Sequence, residues 1–307
     1  MSGPASDIVL SLGAGIQSTT VALLAIDGLI PKPSHAIFAD TGWEPAAVYE
    51  HLARLEVVLS AAGITLHRVS AGNIRDDALS PGHRFASMPI YLKSAPTEKN
   101  RKGHGIGRRQ CTNEYKLVPI KEKIREILGA SVTIDEAGRR RVGRVPGGRY
   151  VTNYVGISAD EAGRIKPSDV GYMRRVDPLV DLLPNPWTRT ACIAYLNERW
   201  SHPVPRSACI GCPFHRDSEW RHMRDTAPAE WADAVNFDEA IRNGIHNERS
   251  TWRGELYLHD SRVPLRIAPI DKPDRASTQS SFFDDPFGCS PFGCQRSEFT
   301  TTPSEES

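Results

Sequence analysis

The sequence has no apolar run approaching the ~18 residues that a membrane-spanning helix needs, and only 39% of it is hydrophobic. Met1–Asp7 lacks the basic stretch of a secretory signal, and Ile8–Leu12 is too short for the apolar part of one. Both absences lead to the expectation of a cytoplasmic protein with no membrane partner. Net charge is nearly absent as well: 38 basic residues stand against 37 acidic ones, a formal +1. Bulk charge therefore names no partner. No internal repeat is visible. In a reducing compartment disulfides are rare, so the six cysteines read as metal ligands, redox groups or buried apolar residues.

What is present organises quickly. The 307 residues can bury one large core or two modest ones. Asp7–Leu12, His35–Ala39 and Ile64–Val69 read as strands. Thr19–Ile26 and Pro45–Ala62 read as helices, the second with Leu52, Leu55, Val58 and Leu59 at helical spacing. Strand, helix, strand, helix, strand predicts an α/β fold with a mostly parallel sheet, whose ligands bind beyond the carboxyl ends of the strands. Ser70–Gln110 reads as loop-rich. Leu117–Leu128 reads as a helix with Pro119 in its first turn, and Val132–Val145 as a basic hairpin turning at Glu136–Gly138. Tyr150–Ile157 reads as a strand, Thr188–Trp200 as a helix capped by Thr188, and Ser218–Gly244 as helical with a break near Pro228. Beyond Pro273 the Ser, Asp, Pro, Gly and Phe content reads as a mobile tail, 273–307.

The first strand runs into Ser11-Leu-Gly-Ala-Gly-Ile-Gln-Ser18 and then a helix. This design suits a phosphate. Glycines let the backbone approach, the helix N-terminus offers unpaired N–H groups, and hydroxyls add donors. Ser11, Gly13, Gly15, Gln17, Ser18, Thr19 and Thr20 are the candidates. The loop lacks both the Gly-Lys-Ser/Thr of a Walker loop and Gly-x-Gly-x-x-Gly. A plain tight turn would use the same glycines.

The run from Leu10 to Thr20 resembles the PP-loop of the adenine nucleotide alpha hydrolase superfamily, in the version of phosphoadenosine phosphosulfate (PAPS) reductase-like proteins. Phe38-Ala-Asp-Thr-Gly-Trp-Glu44, followed by Pro45 and Tyr49, is similar to that family's second-strand motif. Gly156-Ile-Ser-Ala-Asp-Glu-Ala-Gly-Arg164 resembles its Gly-x-x-x-x-Glu/Asp-x-x-Arg segment, and Pro178–Asp181 leading to Trp187-Thr188 its "Pro-Leu, then Trp-Thr" stretch. The resemblance implies a doubly wound sheet with helices on both faces over 1–215. Beyond it, the helical stretch reads as an extension, 216–272, packed on that domain. The resemblance further implies ATP or another adenine nucleotide as ligand, with Asp40 at the adenosine or a metal and Arg164 at a phosphate or sulfate. Asp40 read on its own is equally a helix cap. Gln17 stands where the commonest PP-loop has an acidic residue, which bears on any magnesium ion at that position.

Cys209-Ile-Gly-Cys212 supplies two thiolates at chelating separation, half of a zinc or iron–sulfur site. The segment Arg109-Gln-Cys-Thr-Asn-Glu-Tyr-Lys-Leu-Val-Pro119 resembles the Cys-Cys…Lys…Pro-Leu segment of iron–sulfur-dependent sulfonucleotide reductases, with Gln110 at the first cysteine of the pair. The resemblance implies a [4Fe–4S] cluster on Cys111, Cys209 and Cys212 with one iron open to sulfur or substrate. A zinc site completed by His202 or His215, and plain reduced thiols, stand as alternatives. Cys192 reads as a core residue, and His259 as a packed or surface histidine. Cys289 and Cys294 lack the Glu-Cys-Gly context of the reductases' nucleophile and could act as a redox or sulfur-relay pair.

Three functions compete. One is ATP-dependent adenylation of an acceptor followed by sulfur transfer, with a sulfur donor as partner. Another is sulfonucleotide reduction with a thioredoxin-like reductant. The last is a non-catalytic nucleotide- or nucleic-acid-binding protein with structural zinc, motivated by the basic stretch Lys93–Arg149 with clusters at Lys99–Lys102, Arg108–Arg109 and Arg139–Arg141. That stretch would equally serve as a solvated basic face. The acceptor itself (transfer RNA, DNA, a small molecule or a protein) is not written in these motifs.

Overall fold

Apolar residues on both faces of the first strand require cover on both sides. In the computed structural model, which describes residues 7–80, 88–98, 100–245 and 254–272, that cover is present. The expected tail with Cys289 and Cys294 lies outside the described residues, as does Lys99.

Strand β1 (Ile8–Leu12) leads into α1 (Ile16–Ile26), then β2 (His35–Asp40), α2 (Ala46–Ala61) and β3 (Thr65–Ser70). Next come α3 (Ile74–Leu79), β4 (Tyr91–Lys93) and β5 (His104–Ile106). A π-helical turn, Thr112–Leu117, runs directly into α4 (Val118–Ile127). The basic hairpin is present as β6 (Val132–Ile134) and β7 (Arg140–Val142), paired antiparallel. Then follow β8 (Val151–Val155), a 3-10 turn Ala159–Arg164, β9 (Met173–Val176), α5 (Pro178–Asp181) and α6 (Arg189–Arg199). Helices α7 (Asp217–Thr226) and α8 (Pro228–Ala240) break at Pro228 as predicted, and β10 (Glu255–Tyr257) follows them.

The main sheet has the order β3-β2-β1-β8-β9, and all its pairings are parallel. Leu10, Leu12, Ala36, Phe38 and Tyr154 point to one face and pack with residues of α1, α2 and α6. Their neighbours Val9, Ile37, Ala39, Val151 and Met173 point to the other and pack with Ile120 and Ile124 of α4. The fold is thus a mostly parallel five-stranded α/β sheet with helices on both faces. Leu52, Leu55 and Leu59 seal α2 to the first face with no exposed surface, each contributing about 1.5–3 kcal/mol of burial. The chain adds β2 and β3 on one side of β1, then returns to add β8 and β9 on the other. The strand order therefore switches between β1 and β8, and the crevice at their carboxyl ends is the expected ligand position.

Two expectations need correction. Helix α1 begins at Ile16 rather than Thr19, because Gly15 is extended and serves as its N-cap. The stretch Ser70–Gln110 is not merely loop: it holds α3, β4 and β5, and β4 pairs antiparallel with both β5 and β10. Ile74, Met88 and Ile90 join Trp220, Phe237 and Leu256 in a second core. Strands of three residues are too short to show alternation, and a distant partner from 255–257 completes them.

Candidate functional site: a glycine loop and a thiol pocket

The loop after β1 is shaped as a cradle. Ala14 has φ of +55°, a left-handed conformation uncommon outside glycine, and its side chain is fully buried. Gly15 caps α1 with no side-chain bond to the helix N-terminus, and the first turn holds no acidic residue. The Ser18 hydroxyl accepts from the Gly13 N–H and donates to the Gly15 carbonyl, both at 3.2 Å, which braces the loop from inside. The first-turn amides of α1 thus face the switch point with the dipole's positive end behind them. The threonines read as donors do other work. Thr19 shares a 2.9 Å hydrogen bond with His51, and the Thr20 hydroxyl donates to the Ile16 carbonyl; both residues are wholly buried. Burial, and then the nearby Arg54, hold the His51 pKa down at about 4.

The opposite wall is the segment after β8. A Cβ on Gly156 would lie 2.7 Å from the Ser18 nitrogen and 2.9 Å from its Cα, so only glycine lets the two walls meet. Ser11 turns into the sheet and donates to Asn153 at 2.9 Å. Asn153 Nδ2 and Ser158 Oγ, both buried, have no hydrogen-bond partner among the described residues. Buried polar groups normally have partners, so two orphans at the switch point are an observation in favour of a polar ligand or ordered water. Further along, Gln17 donates to Glu161 at 3.3 Å and Arg164 donates to Glu161 at 2.6 Å.

Asp40 ends β2, where it accepts from the Gly42 N–H and the Tyr49 hydroxyl, both at 2.8 Å. Gly42 has φ of +71° and lies against Asn73, whose amide donates to the Gly42 carbonyl. Asp40 therefore works first as the organiser of its own turn, which projects Thr41, Trp43 and Glu44 towards the cysteines. Glu44 is buried and accepts from Thr41 at 3.1 Å and Lys116 at 3.3 Å, and its Oε2 has no partner among the described residues.

Cys111, Cys209 and Cys212 line one pocket together with Thr41, Ile74, Met88, Arg109 and Lys116. A π-helical turn explains part of this convergence. Its i→i+5 bonds, such as Val118 N–H to the Asn113 carbonyl, bring Cys111 and Lys116 to the same side. Cys209 and Cys212 sit on a tight turn closed by the Cys212 N–H and the Cys209 carbonyl at 3.0 Å. The turn is locked to the β2 loop: Ile210 N–H donates to the Trp43 carbonyl at 2.9 Å, and Thr41 Oγ lies 3.2 Å from Cys209 Sγ. Gly211 rests on the Trp43 indole, where a Cβ would enter the ring. Burial, then the charge of Glu44, push the Cys209 thiol well above its ordinary pKa, with Lys116 opposing them.

Among the described residues no three His, Cys, Asp or Glu side chains converge on an ion-sized position. Neither histidine proposed to complete a zinc site lines the thiol pocket. His215 is turned to the Cys209 carbonyl at 2.9 Å, and His202 packs edge-on against Trp200. The three thiols share their pocket with Lys116 and Arg109, and the Glu44 carboxylate lies 3.9 Å from Cys209 Sγ.

Other sequence candidates resolve more simply. Cys192 is fully buried in α6, and burial raises its pKa to about 12. His259 is tied to Asp217 and Ser261. On the basic hairpin, Arg139 and Arg141 pair with Asp135, and Arg140 with Glu126. Glu44, Lys116, Asn153 and Glu161 were not among the sequence-derived site residues. Glu44, Lys116 and Glu161 lie inside motifs named above, but nothing in the sequence marks Asn153 as facing Ser11.

No protein-family profile matches the chain, and no curated protein matches it. Among solved structures it is similar to phosphoadenylyl-sulfate (PAPS) reductase from Candida auris in a phosphate complex, at 12% identity and a TM-score of 0.36, over 66% of this chain and 76% of that one.

Proposed function

We propose that the protein is an enzyme that binds ATP or another adenine nucleotide on Gly13–Ser18 and couples it to sulfur chemistry at Cys111, Cys209 and Cys212. One observation carries the reading. Ser207 lies 3.6 Å from the Cβ position of Gly15, and two residues later the same segment presents Cys209 to Thr41. A single stretch of chain therefore joins the anion loop to the thiol pocket, and a nucleotide-activated acceptor would lie beside a sulfur centre. The resemblance of Leu10–Thr20 to a PP-loop supports the nucleotide.

In this reading the α1 amides take the pyrophosphate portion, Arg164 a phosphate oxygen, and the crevice donors Asn153 and Ser158 the polar groups nearer the sheet. An acceptor oxygen attacks the α-phosphorus, pyrophosphate leaves, and a sulfur nucleophile then displaces AMP from the activated acceptor. Cys111, Cys209 and Cys212 would hold a [4Fe–4S] cluster, which would supply sulfur-binding chemistry beside the acceptor. Magnesium would accompany the nucleotide's phosphates, because Gln17 offers no carboxylate to the ion. The exposed Arg101, Lys102 and Arg108 make Lys93–Arg149 the proposed meeting surface for a nucleic-acid acceptor, with binding that weakens steeply as salt rises.

The test is ATP binding by equilibrium dialysis, followed by pyrophosphate release with candidate acceptors and a sulfur donor. Binding plus acceptor-dependent release supports the reading. Sulfite formation from a sulfated adenosine nucleotide with a thioredoxin-like reductant would replace it with the reductase reading. Stoichiometric zinc with nucleic-acid binding and no turnover would replace it with a structural one.

A further inference from the structure

We propose that Glu161 is the positioning residue of the anion site, holding the loop and Arg164 in register so that both address one phosphate. The inference rests on the nucleotide reading but concerns a residue to which that reading assigns no role. Glu161 is 7% exposed and is the only acidic side chain hydrogen-bonded to the loop residues Gly13–Ser18 among the described residues. A buried carboxylate next to an anion cradle repels the ligand unless it is itself neutralised. Arg164 does this at 2.6 Å, and Gln17 reaches the other oxygen at 3.3 Å. The amide at 17 follows from the arrangement: a carboxylate there would face Glu161 with like charge, whereas glutamine donates to it.

A guanidinium has five N–H donors in a fixed fork. A carboxylate gripping it from one side sets the plane in which the rest of the fork lies. Because Gln17 belongs to the first turn of α1, the same carboxylate indexes the guanidinium to the helix amides. Gly156 brings the two segments into contact, and the unpartnered Ser158 Oγ and Asn153 Nδ2 mark the same crevice as the place where polar groups await a partner.

The experiment compares the full chain with Glu161→Gln, Gln17→Glu and the transposed double variant Gln17→Glu/Glu161→Gln. Ligands are inorganic pyrophosphate, ATP and adenosine, followed by calorimetry and thermal shift. Glu161→Gln is expected to weaken pyrophosphate and ATP on the order of 10- to 100-fold, the scale of one charge-assisted hydrogen bond, while adenosine binding stays unchanged. Gln17→Glu weakens them likewise, and the double variant recovers at least half of the loss on a logarithmic scale. Unaltered pyrophosphate affinity in Glu161→Gln overturns the proposal, as does equal loss for adenosine and ATP, which is the pattern of a merely structural residue. Wild-type protein that binds pyrophosphate but no adenine compound refutes the nucleotide reading and leaves the role of Glu161 to the pyrophosphate comparison. Wild type that does not bind pyrophosphate overturns both.

Discussion

Replacing Gly156 by alanine inserts one methyl group where the two walls of the crevice touch. Ordinary van der Waals contact begins at 3.4 Å and the new Cβ would sit 2.7 Å from the Ser18 nitrogen, so that atom must recede by about 0.7 Å. The Ser18 Cα, at 2.9 Å, and the Gln17 carbonyl carbon, at 3.0 Å, must move as well. All three belong to the backbone of α1, so no side-chain rotation relieves the contact. Nor can the strand yield easily, since β8 is held between β1 and β9. Overpacking of this kind costs about 1–3 kcal/mol, a fall of roughly 2–12 °C in the thermal midpoint. A shift of this size in the α1 amides also exceeds the ~0.5 Å tolerance of a preorganised site, so nucleotide affinity should fall about tenfold or more. Gly163→Ala is the control: it lies in the same segment, and its Cβ would meet nothing within 4 Å. Urea and thermal unfolding with ATP titration of both variants read the result. Equal midpoints and equal ATP affinities for the two variants would refute the packing argument and the crevice together.

Gly211→Ala should lower the metal and acid-labile sulfide content of the purified protein as well as its stability. Its methyl enters the Trp43 ring, which is fixed by Phe237 and by its bond to Asp233; full metal content in the variant contradicts the reasoning. His51 gives a pH signature. Its pKa is about 4 in the fold against 6.5 ordinarily, so on acidification the unfolded chain takes up the proton first. Stability is fully present above pH 6.5 and declines towards pH 4, by about 2 kcal/mol at pH 5. Urea midpoints between pH 7.5 and 4.5 should fall less steeply in His51→Gln than in wild type. Thr188→Ala removes the 3.3 Å bond to the Ala191 N–H that caps α6 and should cost about 1 kcal/mol, measured by urea unfolding, with ATP affinity unchanged.

The sheet was legible because its strands and helices are long enough to show their periods. Leu52, Leu55 and Leu59 all seal α2 to the core. The tight turn between β1 and α1 was legible from Gly13 and Gly15, since glycine is the usual residue where the backbone turns sharply. The second core was not, because β4, β5 and β10 are three-residue strands joined across more than 150 residues. Where the hydroxyls point was not legible either. Thr19 and Thr20 have the right chemistry for a phosphate, but the helix phase turns them to His51 and Ile16. Cys111 and the Cys209/Cys212 pair could be named from type and spacing. Their convergence depends on the π-helical turn and on Trp43 beneath Gly211, neither of which leaves a mark in composition.

The central claim is that the anion loop and the thiol pocket form one working centre. Its most direct measurement is iron and acid-labile sulfide analysis of anaerobically purified protein, with the visible spectrum recorded during titration with ATP. The account predicts about four iron and four sulfide per chain and a spectrum that changes saturably with the nucleotide. It also predicts that Cys209→Ala abolishes the chromophore. Stoichiometric zinc without sulfide, or a chromophore indifferent to ATP at concentrations that saturate binding, would contradict it.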